Sequence, residues 1–224
     1  MSGIRGHRYE WFDVPLRLLP GRAAFHERQR TLLVSDLHLG KPASFRAGGI
    51  PVPEGVTGSD LDRLTDLIVE FHALRVIVLG DLAHDRGVLD PSTSDRLSVW
   101  LARHESVRMQ VVPGNHDRRL EDLAVLGFEV LEERHHLDGL DLVHAPSENE
   151  SVPTLGGHVH PCVRLSSFRG DSMRLPCFWF SGRTGILPAF GSFTGGHVMR
   201  NDVSTCIFAA GPDEVIPLDS TAKS

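Results

Sequence analysis

Four short apolar runs in this chain end on a polar residue that can bind a metal ion. Thr31-Leu32-Leu33-Val34-Ser35 runs into Asp36, and Arg75-Val76-Ile77-Val78-Leu79 into Gly80-Asp81. Val107 to Val112 runs into Pro113-Gly114-Asn115, and Leu140-Asp141-Leu142-Val143 into His144. Runs of this length and apolarity read as strands. Groups just beyond the carboxyl ends of neighbouring strands converge on one pocket, which is where α/β sheets carry their functional side chains. A further motif, Gly157-His158-Val159-His160, completes the series. Residues two apart in extended chain face the same side, so both of its imidazoles are expected to reach that pocket.

Between these runs the pattern changes. Residues 12–19 and 22–27, parted by Pro20-Gly21, read as a hairpin. Lys41 to Ser59 is rich in Gly and Pro without a clear period and reads as a long, functional loop. Ser59 is expected to cap a helix over about residues 60–72, where Leu61, Leu64, Leu67, Ile68 and Phe71 recur at helical spacing. Residues 93–104 and 118–126 also read as helices. From 151 to 217 the short apolar runs and frequent Gly and Pro indicate mostly strands. Strands alternating with helices and then followed by strands imply a central pair of sheets flanked by helices. No linker or repeat divides the 224 residues, so 1–218 is expected to form a single domain, with a disordered tail over 219–224.

The formal net charge is −6, so no chain-wide basic field points to nucleic acid. Residues 151–224 nevertheless carry six Lys+Arg against five Asp+Glu, a net +1, which leaves −7 for residues 1–150. Bound divalent cations would add positive charge at the site, so an anionic substrate could meet a locally positive surface. Cys162, Cys177 and Cys206 are scattered and form no CxxC pair, which argues against a disulfide framework. No signal-peptide or membrane-length apolar run occurs, and a cytoplasmic protein without membrane association is expected.

Asp36, His38, Asp81, Asn115, His144, His158 and His160 make a mixed oxygen and nitrogen ligand set without cysteine. Such a set suits hard or borderline divalent cations and not a soft thiolate zinc site. Two ions about 3.5–4 Å apart must share a carboxylate. Asp81 is the expected bridge, with Asp36, His38 and His160 on one ion and Asn115, His144 and His158 on the other. Such a pair acidifies the water between them, giving a metal-bridging hydroxide as nucleophile, and holds the phosphate oxygens of an ester. The leaving alkoxide needs a proton, and His116, beside a ligand but not required as one, is the expected general acid. His84 is the candidate to orient His116, with Asp85 and Asp117 weaker. Lys41 and Arg118 directly follow ligand motifs and are candidates to touch substrate phosphate; Arg46, Arg119 and Arg183 are weaker. His7, His26, His72, His104, His135, His136 and His197 read as ordinary polar residues. Phe178-Trp179-Phe180 reads as a buried strand, with a base-stacking platform as the alternative.

The ordered set DLH, GD, GNHD, H and GHVH resembles the calcineurin-like metallophosphoesterase superfamily over about residues 31–160. That resemblance implies a four-layer α/β/β/α sandwich with a dinuclear centre. The form GDLAH, with His84, is similar to the double-strand-break-repair nuclease branch, where a histidine at this place assists the catalytic one. The strings SDLHLGKPASFRAGGIPVPEG, GHVHPCV, RLPCFWF and LPAFGSFTGG resemble the bacterial ligase-associated DNA-damage-response metallophosphoesterases. Asp85-Arg86-Gly87 is more polar than that pattern, which bears on substrate entry. The closer resemblance implies a DNA endonuclease or phosphodiesterase of repair, two Mn²⁺ ions with Zn²⁺ or Fe²⁺ as alternatives, and a DNA ligase and helicase as functional companions. The rival readings are a phosphodiesterase or phosphatase for a small nucleotide or phosphoprotein, and a metal-stabilised interaction module without turnover.

Overall fold

The computed structural model describes residues 6–52, 55–84, 89–117, 124–166 and 172–218. The first sheet follows chain order: β1 (His7–Trp11), β2 (Val14–Leu19), β3 (Ala23–His26), β4 (Thr31–Val34), β5 (Arg75–Leu79), β6 (Arg108–Val112) and β7 (Glu129–Val130). β1 to β4 pair antiparallel, whereas β4, β5, β6 and β7 are parallel. β2 and β3 form the hairpin expected around Pro20-Gly21. The second sheet gathers β8 (Arg134–Leu137), β9 (Leu140–Val143), β10 (Thr154–Gly156), β11 (Pro161–Ser166), β12 (Ser172–Ser181), β13 (Thr184–Ile186), β14 (His197–Val198), β15 (Thr205–Ala210) and β16 (Val215–Leu218).

Alternation along the central parallel strands builds two cores. Leu32, Val34, Val76, Val78 and Val111 face the helices, packing with Leu61, Leu64, Leu67, Leu97 and Trp100. Leu33, Ile77, Leu79 and Val112 face the second sheet, packing with Leu142, Leu155, Phe178, Phe180 and Phe208. Each such side chain stabilises the fold by roughly 1.5–3 kcal/mol when fully buried. Phe178 and Phe180 therefore sit between the sheets, in keeping with the buried-strand reading and not the stacking platform.

Three helices lie wholly within the described residues: α1 (Lys41–Ala47), α2 (Val56–Glu70) and α3 (Pro91–Arg103). Two expectations are corrected here. The stretch from Lys41 is not simply a loop: Gly40, at φ 83°, and Pro42 start a helix where Gly and Pro suggested only breaks. α2 begins at Val56 after Gly55, so Ser59 lies inside it and caps nothing. α3 starts as proline-led helices do, with the Asp90 side chain accepting from the Thr93 N–H. Most of the expected helix at 118–126, together with Arg118, Arg119, Asp85 to Gly87 and the tail from Asp219, lies outside the described residues. No described helix is long and apolar enough to cross a membrane.

Candidate metal centre

β4, β5 and β6 are parallel, so their carboxyl ends open on one edge, and pairing continues past those ends. The Asp36 N–H donates to the Gly80 carbonyl (3.1 Å), His38 N–H to Asp81 (2.9 Å), Leu39 N–H to Leu82 (2.8 Å) and His84 N–H to Leu39 (3.0 Å). The loops carrying DLH and GD thus run side by side. Gly114-Asn115-His116-Asp117 is fastened to them twice. The His116 N–H donates to Asp81 Oδ1 (3.0 Å). The Asp117 carboxylate accepts from the Gly114 N–H (3.0 Å) and from the N–H groups of Leu82 and Ala83 (3.4 Å each). Asp117 is buried, which pushes its pKa up; the three N–H donors oppose that rise and the Asp81 charge adds to it.

Two groups of potential ligands result. Asp36, His38 and His160 form one, and Asp81, His144 and His158 the other; in each, the ligand atoms lie within 4.8 Å of one another. Asp81 faces both. Its Oδ1 is 3.5 Å from His144 Nε2, and its Oδ2 is 3.9 Å from His38 Nε2. Asn115 joins the second group, with Oδ1 2.8 Å from His144 Nε2. All seven residues singled out in the sequence are brought together.

Backbone conformation achieves this. Asp36, His38, Asp81, His158 and His160 all adopt left-handed φ values between 48° and 69°. Each such residue costs roughly 1–2 kcal/mol relative to the right-handed region, a strain that clusters at functional sites. This corrects the reasoning about Gly157-His158-Val159-His160. β10 ends at Gly156 and β11 begins at Pro161, and between them His158 and His160 leave the extended region. Their left-handed turns send His158 and His160 into separate groups. The motif glycines are equally specific: a Cβ on Gly114 would overlap the Asp81 carboxylate, and one on Gly157 would overlap Asp36 Oδ2.

The protonation of the site suits cation binding. A carbonyl only accepts, so His144 Nδ1, 3.0 Å from that of Leu79, donates, which leaves the Nε2 lone pair as the ring's ligand. That lone pair meets the Asn115 carbonyl oxygen at 2.8 Å and His158 Nδ1 at 3.1 Å. Two acceptors in such proximity cannot bond each other, whereas a cation among them satisfies both. Burial lowers the His38 pKa to about 3, only partly opposed by Asp36, so its imidazole is neutral and able to ligate. Burial acts to raise the Asp36 carboxyl. The His160 hydrogen bond, the electrostatic pull of the nearby His160 and His144 imidazoles and the Ser35 hydroxyl outweigh it and hold the pKa below the usual value. The donor set therefore fits divalent ions.

His116 stands at the mouth of the site with its side chain 41% exposed and Nε2 3.9 Å from Asp81 Oδ2. His84 lies beside it, the two rings near-parallel with centroids 5.9 Å apart. Lys41 lies close enough for the Asp36 and Asp81 charges to raise its pKa, although burial wins and lowers it. One support escaped sequence reading. Asp60 and Arg63 on α2 reach Ser192, more than a hundred residues away, through the Ser192 N–H (3.0 Å) and hydroxyl (2.5 Å) to Asp60, and Arg63 to the Ser192 hydroxyl (3.1 Å). The neighbouring Phe190 and Gly191 N–H groups donate to the Ser35 and Asp36 carbonyls (2.8 and 3.2 Å). The only sequence signal was a carboxylate and a guanidinium three residues apart on a mostly apolar helix face.

A family model for calcineurin-like phosphoesterases matches residues 29–209, and the chain belongs to this family. The two-sheet sandwich described above is the fold of that class, and the divalent metals it uses fit the donor set. Among solved structures, the nuclease MPE of Pseudomonas putida is 33% identical, with a TM-score of 0.80, covering 96% of this chain and 100% of that one. Yfce, a phosphoesterase from E. coli, is 16% identical with a TM-score of 0.45, covering 83% and 96%. No match was found among curated protein sequences.

Proposed function

We propose that this protein is a dinuclear metal-dependent phosphodiesterase that cleaves DNA as an endonuclease in repair. The observation that carries the reading is Asp81, with one carboxylate oxygen toward each of two ligand groups. Asp36, His38, Asp81 and His160 would hold one ion, and Asp81, Asn115, His144 and His158 the other. Two divalent cations held there would lower the pKa of a bound water and offer positive charge to the phosphate oxygens. The chain's own residues do the rest. The His116 N–H orients the Asp81 carboxylate, and Asp117 fastens the loop beside it through the Gly114, Leu82 and Ala83 N–H groups. His116 donates the proton that the departing alkoxide needs, its exposure giving it access to substrate, and His84 supports its ring. Lys41 offers a cation to a phosphate oxygen, a role shared with Arg118. The likeness to a nuclease over nearly the whole of both chains supports DNA as substrate. Mn²⁺, a cytoplasmic setting, residues 1–218 acting as one unit, and a ligase and helicase as companions extend the family resemblance.

Two assays test this. Hydrolysis of bis-p-nitrophenyl phosphate with added Mn²⁺ should disappear in His116→Ala. The same preparation should nick supercoiled plasmid, and Asp81→Asn should not. Hydrolysis of the small diester without nicking, across metals and salt concentrations, would reject DNA and leave a small-substrate enzyme. No hydrolysis of either would favour an interaction module.

A further inference from the structure

The amino ends of the same parallel strands carry a second concentration of charge. β4 is preceded by Arg30, β5 begins at Arg75 and β6 at Arg108. Arg75 and Arg108 are direct cross-strand neighbours, and Arg75 pairs with Thr31, the residue after Arg30. Arg28 joins them from the turn between β3 and β4, and the four guanidinium-bearing residues line one hollow of about 440 Å³ together with Ser106. Among the described residues, no carboxylate lines it. Like charges directly opposite on adjacent strands are destabilising, and a chain with net charge −6 has acids enough to avoid this. Arg28 and Arg30 are aimed by backbone carbonyls, those of Asp13 and His72. Arg28 has a long ion pair with Asp138 at 3.5 Å, whereas Arg30, Arg75 and Arg108 form none within 4 Å among the described residues.

We propose that this hollow is a binding site for consecutive phosphates, separate from the metal centre. Guanidinium groups pair two-pronged with phosphate oxygens, and several on fixed strand ends match a phosphate chain better than a lone anion. Five-residue strands put it about 17 Å from the carboxyl ends that carry the metal motifs. It thus contacts a phosphate chain without touching the bond that is cleaved. On the reading that DNA is the substrate, the chain is a nucleic-acid backbone and the hollow holds a strand whose other part is in the metal centre. A free polyphosphate presents the same chemistry.

The test uses the metal-loaded full chain, a fluorescent phosphorothioate-linked single-stranded oligonucleotide that resists cleavage, and, separately, inorganic tripolyphosphate with metal in excess. Arg75→Gln/Arg108→Gln is the main variant. With single-strand contacts scaling as about 0.7 per phosphate in log–log salt slope, losing two should weaken oligonucleotide binding about 25-fold near 0.1 M salt and flatten the slope by about 1.4. Hydrolysis of bis-p-nitrophenyl phosphate should be unchanged, and the melting temperature should hold or rise as the like-charge pair is removed. Arg30→Gln, on a different element, should give about a 5-fold loss and guards against a folding artefact in the double variant. A loss confined to tripolyphosphate keeps the site and assigns it to a free polyanion. Weaker oligonucleotide binding in a protein that never cleaves DNA keeps the site and rejects the nuclease reading. Unchanged binding of both ligands in both variants overturns the proposal.

Discussion

Asp60→Ala isolates the support that links α2 to the metal centre. Asp60 is only 5% exposed and accepts from the Ser192 N–H and hydroxyl while pairing with Arg63 at 3.0 Å. Removing it strands a partly buried N–H, at about 1–3 kcal/mol. The serine hydroxyl can turn to another acceptor and costs about 1 kcal/mol or less. Arg63 has a side chain 26% exposed and keeps the Phe190 carbonyl, the Ser192 hydroxyl and the Phe190 ring face, so its ion pair adds about 1 kcal/mol at most. The sum is about 3 kcal/mol, which for a domain of this size lowers the melting temperature by roughly 6–12 °C. The Phe190 and Gly191 N–H groups bond the Ser35 and Asp36 carbonyls, so loosening this segment should also weaken metal affinity by roughly 10-fold. Scanning calorimetry in EDTA measures the first effect, and a Mn²⁺ titration of bis-p-nitrophenyl phosphate hydrolysis the second. Melting within about 2 °C of wild type, with an unchanged metal titration, would refute the reasoning.

Two further outcomes follow from particular contacts. Gly157→Ala drives a Cβ into Asp36 Oδ2, so Mn²⁺-dependent hydrolysis should fall roughly 10- to 100-fold while circular dichroism still reports a folded chain. At the far edge of the second sheet, Arg134 pairs with Asp141 (3.0 Å) and Glu150 (3.2 Å). Burial acts to raise both carboxyls, and their hydrogen bonds and the arginine charge overcome it, leaving each below its ordinary value of 3.8 or 4.5. Their contribution is therefore complete above those ordinary values and is lost as pH falls through the depressed ones. Arg134→Met should lose roughly 1 kcal/mol at neutral pH and show a flatter acid limb in urea melts taken across pH.

The strands that carry the site were legible because β4, β5 and β6 are short, mostly apolar runs, largely buried, and each is followed within three residues by its functional side chain. The ligand set was legible because its residue types leave few alternative chemistries. α1 was not, since Gly and Pro break helices more often than they start them, and only the left-handed Gly40 shows that here they do the reverse. The Asp60–Ser192 clamp could not be read at all: it joins residues whose separation in sequence carries no periodicity. The left-handed turns at His158 and His160 were missed because period-two alternation assumes extended chain, and the chain leaves that state between β10 and β11.

Anomalous diffraction from Mn²⁺-soaked crystals addresses the shared carboxylate itself. Two peaks per chain should flank Asp81, one beside Asp36, His38 and His160 and the other beside Asn115, His144 and His158. A single peak, or a pair that leaves Asp81 untouched, would contradict the dinuclear centre.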